Sequence, residues 1–450
     1  MKVALAQIDP ANGAYAANLQ KLLAFAREAR EAGAGKILFP EGALEGFSLP
    51  SAGDEADRIA AARDAFFRDL PGGIAADLPV HFAGRVAQPP YRRGSFARRL
   101  REAVEARKPS MRPALVGGDG RDIYDGGALV ATGDGRVRAG PRFEEGLFFA
   151  ETDGEGNPLP PEGPCARAPE EPWGDLYRAL VLATGDYIRK CGARGVLVAL
   201  SGGMDSALVA AIAVDALGPE KVFFVTFPSR YSSEGTRRDA HRLAANLGVP
   251  CREIPIGPAV EALSSSLAFA PDAARPLETP DPRSLEAENL QARVRGTMAM
   301  SLANRMGLVM LETSNLSESL VGYCTLYGDT CGGFSPLLSV LKTDVYRLAR
   351  WRNRGGVVIP ESIIDRAPSA ELREGQKDED SLPPYAELDP ILEILRTTGS
   401  PRAAVAAGYE EATVQRVRKL MLRSEFKRRQ TPEGPETNDI PSISLPISFA

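Results

Sequence analysis

The segment Leu200-Ser201-Gly202-Gly203-Met204-Asp205-Ser206 constrains the fold of this chain more than any other. It stands between an apolar run of strand length, residues 195–200, and an apolar run of helical length, residues 205–217. A strand that turns directly into a helix leaves the first helical N–H groups without acceptors, and the helix dipole favours an anion there. Two glycines let a phosphate oxygen approach the backbone. Ser201 and Ser206 add hydroxyl donors, and Asp205 can hold the Mg²⁺ that accompanies a polyphosphate. The segment is neither a Walker loop, which would end in Gly-Lys-Ser/Thr, nor a Gly-x-Gly-x-x-Gly turn. A tight βα turn with a Ser/Asp cap uses the same residue types, but the full pattern in this setting favours nucleotide binding.

The rhythm around that segment is regular. Apolar runs predict strands at 222–227, 251–256 and 308–313, with helices at 237–247 and 285–305 between them. This is the pattern of an α/β fold with a doubly wound parallel sheet. Residues 1–150 alternate in the same way. Strands are expected at 2–8, 36–39 and 79–86, helices at 16–31, 58–69 and 96–107, and a hairpin at Gly133-Asp134-Gly135. Prolines 158, 160, 161, 164, 169 and 172 mark residues 151–173 as a linker. The expected organisation is therefore a shortened α/β domain at 1–150, the linker, a second domain at 174–431 and an irregular tail at 432–450. Residues 368–384 have the composition of a mobile loop, and helices are expected at 388–395 and 411–430.

Residue counts narrow the chemistry. His81 and His241 are the two histidines, far apart and without a metal-type neighbour, so clustered zinc sites and a Ser–His–Asp hydrolase are disfavoured. The cysteines, Cys165, Cys191, Cys251, Cys324 and Cys331, form no C-x-x-C pair and are odd in number, which suits a reducing compartment. A net charge of −5 gives no sign of a nucleic-acid partner. No apolar run has membrane-spanning length, and the first residues lack a signal-peptide pattern. A cytoplasmic protein is expected, with no membrane partner.

The loop resembles the pyrophosphate loop of the ATP pyrophosphatases, and its surroundings resemble NAD⁺ synthetases in particular. The resemblance is carried by Phe227-Pro228-Ser229-Arg230-Tyr231-Ser232-Ser233 and by the run from Glu288 to Gly296. It continues through Glu318-Ser319-Leu320-Val321-Gly322-Tyr323 and Leu326-Tyr327-Gly328-Asp329, then Pro368-Ser369-Ala370-Glu371-Leu372 and Leu382-Pro383-Pro384-Tyr385. It is dense from about residue 176 to 430. The family resemblance implies ATP and Mg²⁺ as cofactors and deamido-NAD as substrate. It assigns ATP to Ser201, Gly202, Gly203, Asp205, Ser206, Thr313, Lys342 and Ser369, with Asp205 and Lys342 catalytic. Asn289, Arg293, Glu318, Tyr323, Leu326 and Lys427 fall to deamido-NAD, and Asp205 and Glu318 to the metal.

Several of these positions have plainer readings. Asn289 and Arg293, four apart on one helix face, could be solvated charge. Lys427-Arg428-Arg429 could be a solvated helix end or a weak nucleic-acid patch. Asp378-Glu379-Asp380 could guide ammonium, close over the site, or be a charged loop. In many relatives a lysine stands where this chain has Leu316, and in some a lysine stands at Leu326.

Residues 1–50 resemble the start of a nitrilase-type glutaminase, with Phe39-Pro40-Glu41 matching the block of its catalytic glutamate. Such a domain needs a Glu–Lys–Cys set. Here the first cysteine is Cys165 and the first lysine after Glu41 is Lys108, in an unmatched context. Gly117-Gly118-x-Gly120 and Phe143-Glu144-Glu145 resemble closing segments, so the middle appears deleted, Glu41 reads as a degenerate relic, and the domain as scaffold.

The resemblance thus implies amidation of deamido-NAD through an adenylated intermediate, with AMP and pyrophosphate released and ammonia rather than glutamine as donor. It implies a homo-oligomer, at least a dimer. Two alternatives remain: another pyrophosphate-loop ligase, such as a GMP-synthetase-like or RNA-thiolating protein, and a non-catalytic scaffold.

Overall fold

The computed structural model describes residues 1–46, 64–66, 68, 79–82, 90–160, 164–169, 172–268 and 284–439. The chain forms two compact units, Met1–Lys190 and Cys191–Ala450.

The first unit runs β1 (Lys2–Ile8), α1 (Tyr15–Glu31), β2 (Lys36–Phe39), β3 (Val80–Phe82), α2 (Ser95–Ala106), β4 (Ser110–Arg112), β5 (Ala114–Gly118), β6 (Ile123–Asp125), β7 (Leu129–Ala131), β8 (Val137–Ala139), β9 (Gly146–Glu151) and α3 (Trp173–Lys190). Its main sheet has the order β3-β2-β1-β5-β6, with β9 also on β1. The antiparallel β9 takes one edge of β1 from Lys2 to Gln7. The other edge is divided: β2 pairs with Val3–Leu5 and β5 with Gln7 and Ile8, both in parallel. Nearly every residue of β1 is buried, because α1 lays Leu22, Leu23, Ala26 and Ala29 on one face in the apolar stripe expected of an amphipathic helix. The predicted hairpin is the β7–β8 pair, a part of the small sheet β4-β7-β8.

One expectation shifts. The linker opens with a hairpin in which Thr152 bridges Pro158, while its other described residues up to Pro172 are irregular. The helix α3 stands just after the linker and makes side-chain contacts with the first unit. The Gly118 amide donates to Asp186 Oδ2 at 2.9 Å, and Lys190 Nζ reaches Asp9 Oδ1 at 2.6 Å. Of the helix expected at 58–69, residues 64–66 and 68 are described and helical; most of it, and residues 83–86 of the third strand, lie outside the described residues.

The second unit runs β10 (Val196–Ala199), α4 (Met204–Leu217), β11 (Val222–Thr226), α5 (Glu234–Asn246), β12 (Cys251–Glu253), α6 (Gly257–Ala268), α7 (Leu285–Met306), β13 (Val309–Leu311), α8 (Leu316–Val321), α9 (Lys342–Arg352), α10 (Glu361–Ile364), α11 (Tyr385–Thr398), α12 (Pro401–Ala406), α13 (Glu411–Arg423) and α14 (Glu425–Arg428). Its sheet has the order β12-β11-β10-β13, and every pair is parallel. The middle two turns of α4 are apolar on every side because they are buried on every side: Ala207 to Ala213 are at 0% exposure.

The chain moves outward from β10 to β12, then returns to pair β13 on β10's other side. The strand order therefore reverses between β10 and β13, and the loops after these two strands lie side by side. In open α/β sheets such a reversal is where ligands bind.

The predicted helix at 411–430 divides at Ser424, whose hydroxyl donates to Leu320 O and Met421 O instead of facing solvent. Residues 368–384, expected to be mobile, are irregular but tied together. Ser369 Oγ donates to Gln376 O at 2.6 Å, and Leu372 N to Gln376 Oε1 at 2.8 Å.

Candidate active site

The loop after β10 has the shape its sequence implied. Gly202 adopts φ +80°, and a Cβ there would stand 2.3 Å from Thr236 O, so glycine is required on two counts. Gly203 N donates to Ser201 Oγ at 3.1 Å, and Ser206 Oγ donates to Gly203 O at 3.1 Å. The two hydroxyls lie 3.1 Å apart. These contacts hold the turn closed while Gly203, in extended conformation, caps α4 without a side chain. The amides of Met204 and Asp205 open the helix with no acceptor among the described residues, which leaves them for an anion.

Asp205 is where the two adjacent loops meet. Asn315, four residues beyond β13, donates through Nδ2 to Asp205 Oδ1 at 2.8 Å. The same side chain accepts from the Glu318 amide at 3.0 Å and so caps α8. Lys342, the first residue of α9, bridges Asp205 Oδ2 at 2.5 Å and Glu318 Oε1 at 2.9 Å. Lys342 is 3% exposed. Burial alone would strip its proton, but the two carboxylates reverse that and hold the ammonium well above its ordinary value. Glu318 is pushed up to about 7, first by burial and then by Asp205, against the opposing pull of Lys342. Two carboxylates and one ammonium leave a site that still takes up positive charge. Glu318 Oε2 has no hydrogen-bond partner among the described residues. One oxygen from each of Asp205 and Glu318 suits a hard cation that keeps phosphate and water as further ligands, so the residues fit Mg²⁺.

Tyr385 closes the other side. Its ring lies 5.3 Å from Lys342 Nζ, and its hydroxyl donates to Asp378 Oδ2 at 2.9 Å. The acidic loop thereby divides. Asp378 is buried and held above the usual carboxylate range by that burial, whereas Glu379 and Asp380 are exposed, Asp380 pairing with Arg373. Asp378 Oδ1 and the Tyr323 hydroxyl are buried near one another, and neither has a further hydrogen-bond partner among the described residues.

Asn289, Arg293, Tyr323, Leu326 and Lys427 form a second group around the turn after α8. Thr325 Oγ1 donates to Asn289 Oδ1 at 2.7 Å, and Arg293 Nε to Leu326 O at 3.2 Å. Lys427 Nζ donates to Gly322 O and Cys324 O at 2.8 and 2.6 Å, so it buttresses the turn. Arg428 beside it is buried, which removes the basic-patch reading of Lys427-Arg428-Arg429 for that residue. Thr313 is half-buried two residues beyond β13. Ser369 is exposed and engaged within its own loop, and no contact joins it to Asp205. Leu316, where many relatives have lysine, is at 0% exposure among Leu320, Leu341 and Leu388.

Sequence reasoning passed over Asn315 and Arg366 as site residues. Asn315-x-x-Glu318 is a capping-box spacing and could have been read. Arg366, which pairs with Asp239 and donates to Gly202 O at 3.0 Å from far along the chain, carries no local signal.

In the first unit Glu41 lies half-buried in the turn after β2, with no hydrogen-bond or ion-pair partner among the described residues, while Lys108 and Cys165 are exposed.

Residues 176–431 match the family model described as NAD synthase. The chain belongs to the NAD synthase family. It is 43% identical over 326 residues to the glutamine-dependent NAD(+) synthetase of Synechocystis sp., covering 72% of this chain and 57% of that protein. Against its counterpart in Rhodobacter capsulatus it is 39% identical over 394 residues, 83% of this chain and 69% of the relative. A third such relative, from Acinetobacter baylyi, is covered over 58% of its length, so the chain spans between 57% and 69% of these curated proteins.

Among solved structures, the glutamine-dependent NAD⁺ synthetase from Acinetobacter baumannii in complex with ADP is 28% identical. It aligns with a TM-score of 0.69 over 98% of this chain and 96% of its own. The corresponding synthetase of Cytophaga hutchinsonii, 17% identical with a TM-score of 0.80 over the same shares of the two chains, supports the fold alone. The family architecture, a pyrophosphate-loop domain preceded by a nitrilase-like domain, is the architecture of the two units. Among the described residues no helix is long and apolar enough to cross a membrane.

Proposed function

We propose that the chain converts deamido-NAD to NAD⁺ at the expense of ATP, releasing AMP and pyrophosphate and taking its nitrogen as ammonia. The observation that carries the reading is the Asp205–Lys342–Glu318 bridge, set beside the Ser201–Ser206 loop at the strand reversal.

ATP lies with its β- and γ-phosphates on the loop, where the Met204 and Asp205 amides and the two serine hydroxyls donate to it. The nicotinate carboxylate of deamido-NAD attacks the α-phosphorus and pyrophosphate leaves. When bound at Asp205 and Glu318, Mg²⁺ supplies charge neutralisation at the phosphates. Lys342 stays protonated because of its two carboxylate neighbours and faces the charge that develops on the phosphoryl oxygens. Ammonia then adds to the acyl carbon, AMP departs, and the amide loses its extra proton. Asp378, buried beside the Tyr323 hydroxyl and bonded by Tyr385, stands ready to accept from ammonium. The turn at 322–327, buttressed by Asn289, Arg293 and Lys427, carries the dinucleotide.

The ammonia donor is supported by the first unit. No cysteine precedes residue 165, so residues 1–164 offer no thiolate for glutamine hydrolysis. The relatives carry glutamine in their names, which makes the donor the sharpest point to test. The protein is given Mg-ATP and deamido-NAD with either ammonium or glutamine, and NAD⁺ and AMP are measured. AMP and NAD⁺ with ammonium and neither with glutamine is the expected result. Equal rates overturn the donor, and absence of AMP with both overturns the reaction. We propose a cytoplasmic homo-oligomer, which light scattering would test.

A further inference from the structure

Lys342 opens α9, and the residue before it, Leu341, offers no side-chain cap. The first two amides of that helix are nevertheless satisfied, from two other helices. Lys342 N donates to Ser317 Oγ at 2.9 Å, and Thr343 N donates to Asp389 Oδ2 at 2.8 Å. Ser317 Oγ in turn donates to Asp389 Oδ1 at 2.6 Å and closes the set. Ser317 immediately precedes Glu318 on α8, while Asp389 lies on α11, one turn beyond Tyr385. Ser317 is at 0% exposure, Asp389 at 2% and Lys342 at 3%, so solvent does not substitute for any of these bonds.

We infer that Ser317 and Asp389 are positioning residues, a two-residue clamp that caps α9 from outside and sets Lys342 against Asp205 and Glu318. Each side chain that faces Lys342 Nζ comes from a different helix: Asp205 from α4, Glu318 from α8, Tyr385 from α11. The clamp joins the last two to the backbone of Lys342 itself. A helix end left uncapped frays in its first turn, and here that turn holds the ammonium. The assignment of Lys342 to catalysis rests on the proposed function; the clamp rests on the geometry.

The test uses Ser317→Ala, Asp389→Ala and Asp389→Asn in the full chain, with two readouts. The first is ammonia-dependent AMP release. The alanine variants are expected to lose roughly 10- to 100-fold in kcat per folded molecule, with KM for ATP within about threefold, as befits misplacement of a reacting group. Asp389→Asn keeps both links, because its oxygen accepts from Thr343 and its amide donates to Ser317 Oγ; it should retain most of the rate. The second readout is labelling of Lys342 by acetic anhydride, followed by peptide mass spectrometry. Lys342 should be protected in the parent protein and in Asp389→Asn, and labelled faster in the alanine variants. Alanine variants with parental kcat and a protected Lys342 overturn the clamp. A loss that merely tracks the folded fraction by circular dichroism overturns it too, as does an Asp389→Asn variant as impaired as Asp389→Ala. Should Asp389→Ala fail to fold, Ser317→Ala still decides. A parent protein that makes no AMP from deamido-NAD defeats the functional reading, while labelling continues to decide the clamp.

Discussion

Each unit ends a parallel strand in a tight turn that carries an acidic residue, and the described residues surround the two acids differently. After β10, Asp205 is met by Asn315 and Lys342, which arrive from beyond β13 and from the start of α9. After β2, Glu41 is met by no hydrogen-bonding partner among the described residues. The difference lies in the sheets. In the second unit the order reverses at β10, so a second loop is delivered beside the first. In the first unit the open edge of β1 is divided between β2 and β5, and charged side chains gather elsewhere, where Lys190 pairs with both Asp9 and Asp186.

The largest effect should come from removing the residue on which both loops converge. Asp205→Ala takes away the acceptor for Asn315 and one of two anions holding Lys342. AMP release should fall on the order of a thousandfold, with the fold intact by circular dichroism. A variant within tenfold of the parent protein would mean that the turn after β10 is not the catalytic site. Gly202→Ala comes next. The added Cβ would strike Thr236 O, and alanine is strained at φ +80°. We expect roughly 1–3 kcal/mol of lost stability. The displaced loop should cost about a hundredfold in rate. Urea unfolding and AMP release measure the two effects separately, and an unaffected rate would show that the loop does not hold phosphate.

How much of this contrast was legible beforehand follows from how local each signal is. The β10 turn was read residue by residue, because glycines, a helix start and an apolar strand are neighbours in sequence. Asp205 is read from the loop itself, whereas Lys342 and Glu318 are assigned through family resemblance, because spacing does not bring either to Asp205, more than 100 positions away. The reversal of strand order was equally silent, since a strand's neighbour is not written in its own residues. Asp389 left one faint trace, an acid between Leu388 and Ile391 on a buried helix face. Ser369 differs again, because its hydroxyl is engaged within its own loop, a contact that spacing does not announce.

That network in the first unit gives the next effect, which is on stability. Asp9 is pushed up to about 7, first by burial and then by Asp186, against the attraction of Lys190 and Lys21. Glu145 also faces it, accepting from the Asp9 amide at 2.7 Å. A carboxyl that holds its proton more tightly folded than unfolded makes the folded state bind the extra proton. Its contribution is therefore greatest below the ordinary carboxylate value and is lost as pH rises through about 7. Asp9→Asn should flatten the fall in the first unit's thermal midpoint between pH 4 and pH 7. An unchanged slope would move the titration to another group and leave Asp9 and Lys190 as an ordinary ion pair.

The smallest effect completes the comparison from the side of the first turn. Glu41 is half-buried, has no hydrogen-bond or ion-pair partner among the described residues, and is followed by Gly42, whose φ of +84° and lack of room for a Cβ, which would stand 2.6 Å from Gly46 O, set the turn's shape through the glycine. Glu41→Gln removes the charge and keeps the size. Ammonia-supported NAD⁺ formation should be unaltered, and so should the thermal midpoint, because a half-exposed carboxylate without a partner contributes little. The same variant also tests the donor. A base that activated a thiolate would be indispensable, so any glutamine-supported rate that vanished in Glu41→Gln would restore this turn to catalysis. A glutamine-supported rate that survived in Glu41→Gln but fell in Cys165→Ser would instead point to the exposed Cys165 acting without Glu41. With neither variant changing any rate, the turn after β2 is retained for folding alone, and the asymmetry between the two turns is complete.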